Sequence, residues 1–148
     1  MKEISIFFDT EFSDFENSEL ISLGAISADG KSEFYAEINN IPENCSEFVK
    51  ERVLPLLHGN GISKTELAKR FLAWLESFDS NIELCSDSHY DRNMIANLCG
   101  GFPLPLSNGA KSSWFPLPHI ITDNPHNALE DAKLLRKYFA PHFLLDDD

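Results

Sequence analysis

Positive charge is what this chain has least of. Twelve Lys and Arg residues face 24 Asp and Glu, a formal net charge of −12. This argues against a broad basic face, the usual footprint of non-specific duplex binding. Cysteine is equally sparse: Cys45, Cys85 and Cys99 are odd in number and far apart. That spacing fits neither a disulfide framework nor a zinc site, and reads as buried, reduced thiols of a cytoplasmic protein. No apolar run approaches the roughly 18 residues of a membrane span. Lys2-Glu3 leads straight into the first apolar stretch, so no signal peptide is expected. There is no internal repeat, low-complexity tract or linker. The 148 residues are expected to form one domain over 1–145, followed by a disordered acidic tail, Asp146-Asp147-Asp148.

What is present begins with Ile4-Ser5-Ile6-Phe7-Phe8-Asp9-Thr10-Glu11-Phe12, an apolar run that ends in two carboxylates one residue apart. Side chains of a strand alternate with period two, so Asp9 and Glu11 project from the same face. The apolar run predicts a central, largely buried strand. Like charges held this close are tolerated when a cation or a proton lies between them. A pure carboxylate site suits a hard divalent ion such as Mg²⁺ or Mn²⁺. The plain alternative is a D-x-E at a strand edge facing water, which is common for so short a motif.

Residues 19–28 alternate apolar and small polar side chains and read as a second strand. Asp29-Gly30 is a hairpin signal, and residues 32–38 are a third strand, so the first three strands form a meander. Residues 46–53 predict a short helix closed before Pro55. Ser63-Lys64-Thr65-Glu66 is a capping box. Behind it Leu67, Phe71, Trp74, Leu75 and Phe78 fall at helical spacing and face the core. Residues 81–85 are a fourth strand, followed by a helix through Met94, Ile95 and Leu98 that stops at Gly100-Gly101. The stretch 101–118 holds four prolines and reads as loop, with a fifth strand within 112–122. Asn124 is expected to cap the last helix and Pro125 to sit in its first turn. Ala128, Ala132, Leu135 and Phe139 form its buried stripe, and Pro141 is expected to end it. A meander followed by strand–helix alternation predicts an α/β layer fold with a mixed sheet.

Three places carry chemistry: Asp9 with Glu11, Asp91 after the fourth strand, and His126 with Asp131 on the last helix. In order and spacing they resemble the DEDDh 3′→5′ exonucleases of the ribonuclease H-like superfamily. There a D-x-E motif follows an apolar strand, matched by Asp9-Thr10-Glu11. A second motif ends in an aromatic residue and an aspartate, matched by Tyr90-Asp91. The third is H-x-A-x-x-D-A, matched by His126-Asn127-Ala128-Leu129-Glu130-Asp131-Ala132. Glu19-Leu20-Ile21-Ser22-Leu23-Gly24, the Asp29-Gly30 hairpin with Phe34-Tyr35-Ala36, and Val53-Leu54-Pro55 are similar to the small stand-alone bacterial branch related to ribonuclease T. The resemblance implies a ribonuclease H-like fold: a mixed central sheet, strands 1–3 an antiparallel meander with parallel strands added, flanked by helices. It also implies a homodimer acting on RNA 3′ ends. One departure is that only 34 residues separate Asp91 from His126, where relatives often carry extra helical material.

The resemblance further implies two divalent ions. Such ions, about 3.5–4 Å apart, stabilise both the attacking and leaving oxygens of a phosphodiester. Asp9 would bridge them, with Glu11 and Asp131 on one ion and Asp91 on the other. His126 would take the proton of the attacking water, for which an imidazole pKa near 6.5 is suited. Five residues turn roughly 140° around an ideal helix. His126 and Asp131 therefore share no face deep within one, and His126 is expected at a frayed first turn.

Around these, Thr10, Phe12, Asp87 and Arg92 are substrate-binding candidates. Asp87 is expected beside the nucleotide rather than on a metal. Phe12 suits stacking on the terminal base, although core packing accounts for it equally well. Arg92, Lys111, Lys133, Arg136 and Lys137 are the basic residues placed to meet a phosphate backbone, although Arg136 and Lys137 also suit a helix C-terminus. His89 is a rival base that reads as a surface or structural histidine, Asp14 and Glu130 read as solvated, and the alternative for His126 is a capping role. The expected activity is a Mg²⁺- or Mn²⁺-dependent 3′→5′ exonuclease on single-stranded RNA, with no membrane partner. The alternatives are a DNA-directed proofreading or repair exonuclease and a catalytically weak module that binds nucleic-acid ends. Complete filling of the motif positions argues against the last. RNA and DNA are not separated by sequence, because 2′-hydroxyl contacts arise from loop geometry.

Overall fold

A five-stranded mixed sheet of order β3-β2-β1-β4-β5 organises the chain. The computed structural model describes residues 1–119 and 125–144, the last three by backbone only. β1 (Glu3–Phe12), β2 (Leu20–Ser27) and β3 (Glu33–Glu37) form the expected antiparallel meander. β4 (Asn81–Ser86) pairs parallel with β1, and β5 (Ser112–Pro116) pairs parallel with β4. The helices are α1 (Glu47–Arg52), α2 (Lys64–Glu76), α3 (His89–Cys99) and α4 (Ala128–Leu144).

β1 lies in the middle of the sheet, and Ile6, Phe7 and Phe8 are fully buried. Its period-two alternation splits them between two cores. Ile6 and Phe8 pack with Leu67, Phe71 and Leu75 of α2 and with Met94 and Ile95 of α3. Phe7 packs on the other face with Ala132, Leu135 and Ala140 of α4. Each large side chain so buried contributes about 1.5–3 kcal/mol. Cys45, Cys85 and Cys99 are free thiols in the interior, and burial raises the pKa of each. Among the described residues, no helix is long and apolar enough to cross a membrane.

The helix ends show where local signals held. Ser46 and Ser63 accept hydrogen bonds from the amides of Val49 and Glu66. The Glu66 carboxylate turns to Arg70 at 2.9 Å instead of back to the cap. Gly100 ends α3 at φ 89°, a conformation cheap only for glycine. The start of α4 differs from expectation. Asn127, not Asn124, caps it, its Oδ1 accepting from the Leu129 and Glu130 amides at 3.1 Å. Pro125 thus precedes the helix, and Asn124 lies outside the described residues. Pro141 does not end α4 either. Its ring forfeits one amide hydrogen bond, while the buried stripe through Leu135 and Ala140 docks the helix on the sheet. Arg136 is consequently mid-helix, its Nε donating to the Ala28 carbonyl at 2.9 Å. The end of the expected fifth strand (120–122) and the acidic tail also lie outside the described residues.

Candidate metal centre

β1, α3 and α4 converge near the carboxyl ends of β1 and β4, the usual place for a ligand site in an open α/β sheet. Asp9 and Glu11 share the parity of Phe7 and so emerge on the α4 side. Opposite Asp9 in the antiparallel ladder stands Gly24. A Cβ at Gly24 would fall 2.2 Å from the Leu129 amide nitrogen and 2.4 Å from the Ala128 carbonyl carbon. The absence of a side chain there lets the first turn of α4 rest directly on β2. Ala128 and Ala132, both fully buried, complete this close approach and bring Asp131 to β1.

Asp91 arrives from the other side of the sheet, on the first turn of α3. Its Oδ1 accepts from the Thr10 amide at 3.1 Å and from the Thr10 hydroxyl at 2.7 Å. Thr10, expected at the substrate, is 3% exposed and spends both donors on this link.

The result is two carboxylate groups sharing one member. Asp9, Glu11 and Asp131 each bring an oxygen within 4.8 Å of the others, and Asp9, Asp87 and Asp91 do the same. Asp87, expected away from the metals, therefore stands with the ligand candidates. Burial raises the pKa of Asp9 well above its usual range, with further contributions from Asp91, Glu11, Asp131 and Asp87. Glu11 is pushed up to about 9, by burial first and Asp131 next. Asp91 rises to about 7 through burial, partly offset by the Thr10 hydroxyl bond. Burial also raises Asp131, against the lowering influence of Glu11, Asp9 and His126. Lys50, Arg70 and Lys133 form their ion pairs with other carboxylates.

This donor set fits hard divalent ions on two grounds. It is all oxygen, the preference of Mg²⁺ and Mn²⁺. Also, Asp131 Oδ1 is buried with no hydrogen-bond partner among the described residues, and a buried charged acceptor left so is costly unless a cation meets it.

His126 is not on the first turn of α4. It lies just before the Asn127 cap with φ 61°, a left-handed backbone. The cap side chain occupies the first-turn amides, so the helix cannot run back to include it. Such a backbone costs a non-glycine residue about 1–3 kcal/mol, and strain of this kind concentrates at functional sites. The ring of His126, when protonated, and its main-chain amide both favour the ionised form of Asp131. Its ring meets Phe48 edge-on at 5.0 Å.

Phe12 stacks on Tyr90 at 5.8 Å and meets Phe15 edge-on at 5.4 Å, while Phe15 is 67% exposed. Arg92 lies over the ring of Phe102 at 4.9 Å, which directs it to the 101–111 segment. Exposed His89 lies tilted against the Tyr90 ring at 4.4 Å. Sequence reasoning missed several supports. Asn127 Nδ2 donates to the Tyr35 hydroxyl at 3.3 Å, and that hydroxyl donates to Glu37, so the cap of α4 is tied to β3. Buried Glu37 also accepts from the His58 and Gly59 amides at 2.8 and 3.0 Å. Gly24 had a usable signal, since glycine inside a strand marks close backbone approach. His119, whose Nδ1 lies 2.8 Å from Asp87 Oδ2, had none. Comparison of the chain with known protein families and with curated proteins finds no match.

Proposed function

We propose that this protein is a divalent-metal-dependent 3′→5′ exonuclease of ribonuclease H-like fold that releases mononucleotides from single-stranded RNA ends. The observation that carries this reading is the convergence of Asp9, Glu11, Asp91 and Asp131 from three elements into two carboxylate groups that share Asp9, one of them holding a buried Asp131 oxygen with no hydrogen-bond partner among the described residues. Asp9, Glu11 and Asp131 would hold one ion, and Asp9 with Asp91 the other. Bound ions of this kind neutralise the scissile phosphate and acidify water.

The chain's own residues supply the rest. Thr10 orients the Asp91 carboxylate through two hydrogen bonds. The Asn127 cap and the Gly24 contact fix the start of α4, and with it Asp131 and the preceding His126. His126 in neutral form accepts the proton of the attacking water on its imidazole nitrogen. The Phe12, Phe15 and Tyr90 rings offer a stacking surface for an unpaired terminal base. A net charge of −12 suits an enzyme that holds a strand by its end and not along its length.

The test is a time course on matched 3′- and 5′-labelled RNA and DNA oligonucleotides with Mg²⁺, Mn²⁺ or EDTA. The expected result is loss of the 3′ label first, as mononucleotide, in metal only and faster on RNA. Faster DNA cleavage would move the substrate assignment to DNA. No cleavage of either polymer in either metal would refute the enzymatic reading.

A further inference from the structure

Asp87 meets a histidine side chain from a distant part of the chain. Its Oδ2 lies 2.8 Å from His119 Nδ1, and the two side chains are 12% and 66% exposed. An ionised carboxylate only accepts hydrogen bonds, so His119 can donate to it through Nδ1 in the tautomer that carries a proton there. The tertiary fold creates the contact across 32 residues. β5 runs parallel beside β4, with Ser86 opposite Pro116. The Leu117 amide donates to the Ser86 carbonyl at 2.8 Å, and Trp114 Nε1 donates to the Ser86 hydroxyl at 2.9 Å. Chain leaving β5 is thereby held beside the residues that follow β4, which brings His119 to Asp87.

The other candidate ligands leave this side of the centre thinly furnished. Asp9 is shared with the Glu11–Asp131 group, and Asp91 Oδ1 already accepts two hydrogen bonds from Thr10. Asp87 brings an oxygen within 4.8 Å of ligand oxygens of both Asp9 and Asp91. The adjoining Asp9–Glu11–Asp131 group shares Asp9 with this side. It holds Asp131 Oδ1, in a residue only 7% exposed and with no hydrogen-bond partner among the described residues, which marks the shared centre as suited to a cation.

We propose that Asp87 is a fifth carboxylate ligand, oriented by His119 as a positioning residue, so that the Asp9–Asp87–Asp91 side takes its divalent ion before any nucleic acid arrives. This rests on the metal-dependent reading above and adds to it a centre loaded with both ions in the free protein. A histidine that fixes a ligating carboxylate typically alters metal affinity about 10–100-fold when removed.

The experiment is a calorimetric titration of the metal-stripped full chain with Mn²⁺, without nucleic acid. Wild type should bind two ions, and Asp87→Asn should bind one, with a melting temperature confirming that it is folded. His119→Ala should weaken the second ion about 10–100-fold and leave the first unchanged. His119→Asn, which keeps a donor near the Nδ1 position, should recover most of that loss. The recovery separates a positioning role from general destabilisation. One ion in wild type, two in Asp87→Asn, or an unaltered second ion in His119→Ala would each overturn the proposal while leaving the exonuclease reading intact. No ion at all in wild type would overturn both.

Discussion

Gly24→Ala is the substitution whose effect follows most directly from the packing. The added methyl would lie 2.2 Å from the Leu129 nitrogen and 2.4 Å from the Leu129 Cα, both backbone atoms that cannot swing aside. Ordinary contact begins near 3.4 Å, so the first turn of α4 or strand β2 must give way by about 1 Å. That turn carries Asp131 and follows His126, while β2 is laddered to Asp9 itself. Overpacking of this kind costs about 1–3 kcal/mol. For a chain of this size each kcal/mol lowers the melting temperature by about 2–4 °C. A 1 Å misplacement of catalytic groups costs roughly 10²-fold in rate. The protein should therefore remain folded at 25 °C, melt a few degrees lower, bind Mn²⁺ more weakly and turn over about 10²-fold more slowly. Thermal melting, Mn²⁺ titration and single-turnover cleavage of a 3′-labelled RNA measure these separately. A variant with wild-type turnover and metal affinity would refute the argument that the Gly24–α4 contact sets the position of Asp131.

Three other outcomes are expected. Asp9→Asn should nearly abolish hydrolysis yet raise the melting temperature of metal-free protein at pH 8, because it removes an acid whose ionisation is opposed by desolvation and by four neighbouring carboxyl groups; a lowered melting temperature in EDTA would show that this opposition is not the governing force. Asp9, Glu11, Asp91 and Asp131 have raised folded pKa values, so between about pH 4 and the folded values of about 7 for Asp91 and about 9 for Glu11 the folded state holds more protons than the unfolded. Stability of the metal-free protein should therefore fall as pH rises through that window, and Mg²⁺ should restore most at the alkaline end; a urea-denaturation series in EDTA that rises with pH would contradict this. His126→Ala should bind metal and RNA almost normally but lose turnover by roughly 10²–10⁴-fold, whereas His89→Ala should change little; the reverse pattern would assign the base to the wrong histidine.

Much of the fold and part of the site were legible one residue at a time. Period-two alternation set Asp9 and Glu11 on a common face and Phe7 and Phe8 on opposite faces, and these placements hold. The apolar stripe of α2 and the glycine stop of α3 were readable for the same reason, since both depend on neighbours within a turn or two. The assignments that failed were those in which local propensity competed with docking. Asn124 and Asn127 both suit a helix cap, and the side chain that reaches the free amides is Asn127. Pro141 breaks a helix in isolation, yet α4 continues past it while its buried stripe lies on the sheet. The sequence alone determined which residues could carry charge to the centre and on which face of β1 two of them stand, because that follows from backbone geometry. Only the tertiary structure decided that Asp87 joins Asp9 and Asp91, that His119 meets it, and that His126 stands outside its helix. Those contacts depend on strand β5 pairing beside β4 and on α4 settling onto Gly24, and no local periodicity encodes how close two distant backbones come.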